Sequence, residues 1–296
     1  MDPVSFAARP DFDRPVVVAA FRGWNDAGDA ASGTAQFLRE AWKAEVFAAL
    51  DPEEFYDFQV NRPTVRLVDG VSRVIEWPSS EFSLARPGGR DVVLFTSTEP
   101  NNRWRGFGEA VVKVARDLGA ERLITLGAFL ADVPHTHPVP IAGSAPDPEE
   151  ATRLGLSASR YEGPTGIVGV LHDLSNRSGL PSVSLWAATP HYAPAGANPK
   201  ATLALVERLG RFLGVDVDPG GLPLAAQAWE ATVSELVEQN EALAEYVRRL
   251  TEAHDEATEP EVVVDPHAGE QLAAEVERFL QEQGPEDGEG AGAPGA

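Results

Sequence analysis

Between Pro15 and Arg22 the chain reads Val16-Val-Val-Ala-Ala-Phe21, an apolar run with no polar alternation. A strand with one solvated face alternates in and out. An unbroken run therefore belongs to a strand buried on both faces, as in a parallel sheet covered by helices. A turn crowded with Trp24, Asn25, Asp26 and Gly28 follows, then an alanine-rich helical stretch. In open parallel α/β sheets ligands sit outside the carboxyl ends of the strands, where this loop must lie.

The alternation continues through two-thirds of the chain. Strands are predicted at 16–21, 45–50, 64–68, 73–76, 91–97, 122–127 and 182–186, with helices at 30–41, 107–118, 165–175 and 200–212. Strands interleaved with amphipathic helices predict an α/β fold, a mostly parallel sheet with helices on both faces. Residues 51–90 contain short strands and no helical pattern, which suggests a hairpin inserted at one edge. The predicted division is a core domain over 1–219, a helical appendage over 220–283 and a disordered tail over 284–296.

Charge separates these parts. Residues 220–296 hold 18 acidic and 3 basic side chains, whereas residues 1–219 hold 28 and 21. With a net charge of −22 and no basic face in the sequence, nucleic-acid binding is not expected. The absence of cysteine excludes disulfides, thiolate–metal sites and a cysteine nucleophile. The N-terminal residues lack a signal-peptide pattern and no apolar run is long enough to span a bilayer, so a cytoplasmic protein without membrane contact is expected. Three lysines stand against 21 arginines, and the excess of arginine and alanine resembles the coding usage of a GC-rich bacterium.

From Leu222 to about Ala257 apolar residues recur at alternating spacings of four and three, with Asn240 filling the missing step. An Asn on an apolar seam can fix register or oligomer state. Leu272, Val276 and Phe279 repeat the spacing after Glu259-Pro260. The pattern predicts an acidic helical hairpin that packs on itself, on the core or on another subunit.

Five loops carry polar side chains. In Trp24-Asn25-Asp26, Asp26 or Asp29 could cap the next helix, or the cluster could contact a ligand. In the loop after strand 91–97, Glu99, Asn101 and Arg103 lie close together; Glu99 and Arg103 could pair, or the guanidinium could bind a carboxylate or phosphate. His135 and His137 stand two apart on an extended segment, where they could begin a metal site, but only Asp132 offers a third ligand, and no metal is expected. Thr165 could cap the helix that follows Glu162-Gly-Pro, or the exposed amides there could hold an anion. Thr189-Pro-His191-Tyr192 adds a polar, aromatic loop to the same edge. No phosphate-binding Gly-Lys-Ser/Thr loop, dinucleotide fingerprint or Gly-x-Ser-x-Gly elbow is present, so neither a cofactor nor a catalytic residue is assigned.

Several of these loops together resemble the proteasome assembly chaperone 2 family, in its bacterial and especially actinobacterial branch. The likeness rests on Gly23-Trp-Asn-Asp-Ala-Gly-Asp29, Glu99-Pro-Asn101 with Arg103-Trp104, Asp132-Val-Pro-His135 and Tyr161-Glu-Gly-Pro-Thr-Gly166. It continues in Pro181-Ser-Val-Ser-Leu-Trp186 and Asn198-Pro-Lys200, and covers roughly residues 10–215. The resemblance implies a three-layer α/β/α fold with nucleoside-phosphorylase-like architecture. It also implies a relationship to chaperones that help assemble proteasome α-subunit rings. Such chaperones often end in a hydrophobic-Tyr-X tail, which the terminal Glu289-Gly-Ala-Gly-Ala-Pro-Gly-Ala296 does not match. Two readings follow. One is a chaperone-like or scaffold protein with protein partners and a polar pocket at the carboxyl ends of the strands, forming a homo-oligomer through its core or C-terminal helices. The other is an enzyme or sensor for a nucleoside-like or anionic molecule held by Trp24, Asn25, Asp26, Glu99, Asn101, Arg103, His135, Glu162 and Thr165.

Overall fold

The computed structural model describes residues 3–156 and 163–256. These lie within the first of two units, residues 1–264; the second comprises residues 265–296. Among the described residues ten strands are formed: β1 (Val4–Phe6), β2 (Val16–Arg22), β3 (Glu45–Leu50), β4 (Thr64–Val68), β5 (Ser72–Glu76), β6 (Glu81–Ala85), β7 (Val92–Thr98), β8 (Arg122–Ala131), β9 (Ile141–Ser144) and β10 (Ser182–Pro190). The helices are α1 (Ala30–Ala41), α2 (Trp104–Asp117), α3 (Pro148–Arg153), α4 (Ile167–Arg177), α5 (Pro199–Leu213), α6 (Leu222–Glu238) and α7 (Glu241–Glu256). No helix among the described residues is long and apolar enough to cross a membrane.

Eight strands form one sheet in the order β1-β3-β6-β7-β2-β8-β10-β9. The four central strands, β7, β2, β8 and β10, are parallel. The flanking pairs β1–β3, β3–β6, β6–β7 and β9–β10 are antiparallel. Along β2 the side chains divide between the two faces of the sheet. Val17, Ala19 and Phe21 join the core under α2 and α4, and Val16, Val18 and Ala20 join the core under α1 and α5. Both sets are buried, so the apolar run at 16–21 follows directly from helices on two faces. The first core is rich in phenylalanine: Phe21, Phe95 and Phe107 lie within about 6 Å of one another, and Phe55 meets Phe107 edge to face at 5.2 Å.

The predicted strands and core helices form with small shifts of boundary. β1, β6 and β9 were not anticipated. β6 interrupts its apolar residues with Ser83, which is fully buried, and β1 and β9 are edge segments of three and four residues. Residues 51–90 divide: β6 joins the main sheet, while β4 and β5 form a separate two-stranded hairpin. Asp69 and Gly70 turn it with left-handed backbone at φ 53° and 72°, the geometry that suits a tight hairpin turn.

The expectation for Asn240 needs correction. The helix beginning at Leu222 ends at Glu238, and Asn240 stands in the turn before α7, where its side-chain oxygen accepts the Leu243 amide at 3.1 Å. It is a cap between two helices, because a short polar side chain satisfies an orphan amide better than it fills an apolar seam. The hairpin thus closes at residues 239–240. The repeat at Leu272, Val276 and Phe279 lies outside the described residues.

Candidate functional site

The loops after β2 and β7 and the start of α4 meet at the carboxyl edge of the parallel strands. Glu99 is the tie between them. Its Oε1 accepts the Asn25 side-chain amide at 2.8 Å and the backbone amide of Ile167, the first residue of α4, at 2.9 Å. A carboxylate at a helix start satisfies an orphan donor and opposes the positive end of the helix dipole. The predicted role of Thr165 as helix cap is therefore corrected. Gly166 is the N-cap residue and has no side chain to cap α4, and Glu99 supplies the acceptor from another strand end. Gly166 has no room for a side chain, since a Cβ there would lie 2.2 Å from the Asn25 amide nitrogen.

Asp26 anchors the neighbouring helix. Its Oδ1 accepts the Ala31 and Ser32 amides at 2.8 and 3.1 Å, as the capping reading anticipated. Burial pushes its carboxyl above the usual aspartate range, and the hydrogen bonds from residues 31 and 32 oppose that shift. Asn25 Oδ1 and Asp26 Oδ2 are buried with no hydrogen-bond partner among the described residues. Trp24 projects outward and is 59% exposed.

Arg103 and Asn101 do different work. Arg103 pairs with Glu54, not with Glu99, and its guanidinium lies 5.8 Å from the Phe55 ring centre. Asn101 Oδ1 accepts the Asp57 amide at 2.9 Å and the Asn61 side-chain amide at 2.7 Å. Both residues hold the 52–61 loop against the end of β7. Arg103 does so from left-handed backbone, φ 55°, a conformation that costs a non-glycine residue about 1 kcal/mol or more. Under this loop the Tyr56 hydroxyl bonds Ser80 and Ser97, each at 2.7 Å, and burial raises its pKa. No sequence pattern announced this network, because its three members come from separate segments.

A second polar cluster gathers beneath the C-terminal hairpin. His135 Nδ1 lies 2.9 Å from the Tyr192 hydroxyl and Nε2 lies 3.0 Å from Ser234 Oγ on α6. Burial lowers the His135 pKa; Glu230 opposes the shift and Lys200 adds to it. Lys200 bridges to α6 by pairing with Glu230 while donating to the His135 carbonyl. His137 meets Asp255 on α7 at 2.9 Å, and the Tyr246 hydroxyl donates to Asp132 at 2.9 Å. Burial pushes the Tyr192 hydroxyl up to about 12. The predicted loops after β8 and β10 therefore meet, with α6 and α7 laid over them. Ser234, Tyr246 and Asp255 were legible only as surface residues of an acidic helix. Among the described residues no group of three or more His, Asp or Glu is placed to hold a metal ion. Glu162 lies outside the described residues.

The fold and this edge define a three-layer α/β/α protein whose polar loops are bonded largely to one another. The PAC2 family model matches residues 20–237, and the chain belongs to the PAC2 family. A PAC2 family protein from Streptomyces avermitilis is 52% identical, with 79% of this chain and 99% of that chain covered and a TM-score of 0.74. A proteasome-assembly chaperone homologue from Mycobacterium tuberculosis is 48% identical, with coverage of 78% and 99% and a TM-score of 0.72. PbaB from Pyrococcus furiosus, an archaeal proteasome activator, shares the fold at 18% identity, with coverage of 80% and 99% and a TM-score of 0.64. No curated protein matches the chain.

Proposed function

We propose that this chain is a non-enzymatic, chaperone-like assembly protein of the cytoplasm that acts through its surfaces. The observation that carries the reading is the use made of the candidate polar residues. Glu99 ties Asn25 to α4, Arg103 pairs with Glu54, and both ring nitrogens of His135 have protein partners. Each of these groups is bonded to a neighbouring segment, the arrangement expected of side chains that hold loops together. The 48% identical relative described as a proteasome-assembly chaperone homologue supports the same reading. The helices after residue 220 act as an appendage that clamps the loops after β8 and β10, and they leave an acidic outer face for partners.

Native mass spectrometry of the purified protein mixed with unassembled proteasome subunits of its own organism tests the proposal. A defined complex that disappears once the subunits have assembled supports it. Unbound subunits under conditions where they later assemble normally contradict it.

A second reading is favoured by one observation, the two buried oxygens at Asn25 and Asp26 that have no partner among the described residues. In that reading a small molecule donates hydrogen bonds to both, beside the exposed Trp24. Thr165 belongs to the same proposed rim. Stabilisation by a nucleoside or polar metabolite that Asp26→Asn abolishes would favour this reading over the first.

A further inference from the structure

Twelve large hydrophobic side chains of the described residues are exposed, and seven of them lie between Val60 and Trp77. The β4–β5 register places Val65 opposite Ile75 and Leu67 opposite Arg73, so one face presents three aliphatic side chains and one guanidinium to solvent. Val65, Leu67 and Ile75 are 62%, 56% and 55% exposed. An isolated two-stranded hairpin is marginal in water, and a contiguous apolar face marks an interaction site. The segment is also unusual in charge. Residues 60–77 carry Arg62, Arg66 and Arg73 against Asp69 and Glu76, a net +1 in a chain of −22.

A complementary surface lies on α6. Of the remaining exposed large hydrophobics, Leu224 and Leu236 both stand on this helix. At 100° per residue they bound a face that holds Ala225, Ala228, Thr232 and Glu235. Small residues along its middle let a flat hairpin approach closely. α6 carries Glu230, Glu235 and Glu238 and no basic residue. The hairpin face joins its aliphatic side chains to Arg73, the α6 face sets Glu235 beside Leu236, and every copy of the chain bears both.

Resting on the reading of an interaction protein, we propose that the β4–β5 hairpin of one copy docks on the exposed face of α6 of the next. Arg73 would then lie against Glu235 and Leu67 against Leu236. Because the two surfaces differ, the contact is head-to-tail and closes into a ring when the rotation allows. This places the self-association on the hairpin and α6 together.

The test is sedimentation velocity on the full chain and two variants, Leu67→Glu/Ile75→Glu and Leu236→Arg, with circular dichroism confirming that each is folded. The expected result is an assembled wild type and two monomeric variants. An equimolar mixture of the variants should form a dimer and nothing larger, because one good hairpin and one good helix face remain. The milder substitutions Arg73→Glu and Glu235→Arg should each weaken assembly alone and restore it when combined in one chain. A monomeric wild type, hairpin variants that keep the wild-type size, or variants that fail to pair when mixed would each overturn the proposal. Binding of proteasome subunits, measured on the same samples, separates this failure from that of the assembly reading, which predicts capture even by a monomer.

Discussion

Replacing Glu99 by alanine should cost this protein more than any other single change at the sheet edge. Two donors depend on its Oε1: the Asn25 side-chain amide and the Ile167 backbone amide. Asn25 is 2% exposed and Ile167 fully buried, so neither can turn to bulk water without local opening. Leaving a buried donor unpaired costs about 1–3 kcal/mol, and removing a charge from a helix start costs about 0.3–1 kcal/mol more. Glu99 is itself partly exposed, and some solvent will enter the space it leaves. A loss of about 3 kcal/mol is therefore expected, a fall in Tm of roughly 6–12 °C at about 2–4 °C per kcal/mol. Glu99→Gln keeps an acceptor oxygen and should lose only about 1 kcal/mol. Urea unfolding of the wild type, both variants, Asn25→Ala and the Asn25→Ala/Glu99→Ala double variant measures these terms. The cycle should give a coupling of about 0.5–3 kcal/mol. Glu99→Ala within about 0.5 kcal/mol of wild type, or additive single changes, would refute the idea that this carboxylate joins three segments.

Other expectations follow from the same geometry. Gly166→Ala should destabilise by about 1–3 kcal/mol through collision with Asn25, and Asn25→Ala in the same chain should recover most of it; a neutral Gly166→Ala in urea unfolding would contradict the packing. Asn240→Ala should remove about 0.5–2 kcal/mol from the α6–α7 turn, seen as faster amide exchange at the start of α7; unchanged exchange there would count against the cap. Stability should decline on acidification below about pH 6.5. Burial lowers the His135 and His172 pKa values in the folded protein, so the unfolded chain takes up protons first, and the contribution is lost as pH falls towards the folded values. Asp26 has the opposite sign, since its raised pKa lets the folded state gain a proton first at lower pH. His135→Asn should flatten the fall in Tm between pH 7 and 5.5, and a Tm that stays level in the wild type would contradict this account.

The central architecture was legible because burial on two faces leaves a clear mark on sequence. The run at 16–21 and the alternation with helices at 30–41, 107–118, 165–175 and 200–212 needed nothing beyond periodicity, and the helices formed within three residues of those bounds. β6 escaped notice because Glu81 and the buried Ser83 break its apolar residues into a pattern that is neither a continuous run nor exposed alternation. Among site residues, Asp26 was readable as a cap, since the amides that donate to it lie five and six residues onward. Glu99 as the cap of α4 was not, because donor and acceptor are 68 residues apart in the chain. Arg103 pairs with Glu54 for a similar reason: the 52–61 loop reaches it through space, whereas Glu99 is only near in sequence. The meeting of His135 and Ser234 depends on how α6 returns over the sheet, and local pattern does not encode that path.

The most direct test of the account is thermal unfolding of the full chain against nucleosides, nucleotides, phosphate, common carboxylates and divalent metals. A ligand of the native state at a hundred times its Kd adds about 2.7 kcal/mol, a shift well within reach of the method. If the polar edge serves to tie the fold together, Tm should stay level across the panel while proteasome subunits raise it. A saturable rise with a small molecule that is lost in Asp26→Asn and kept in Leu67→Glu would contradict the account and assign the edge to ligand chemistry.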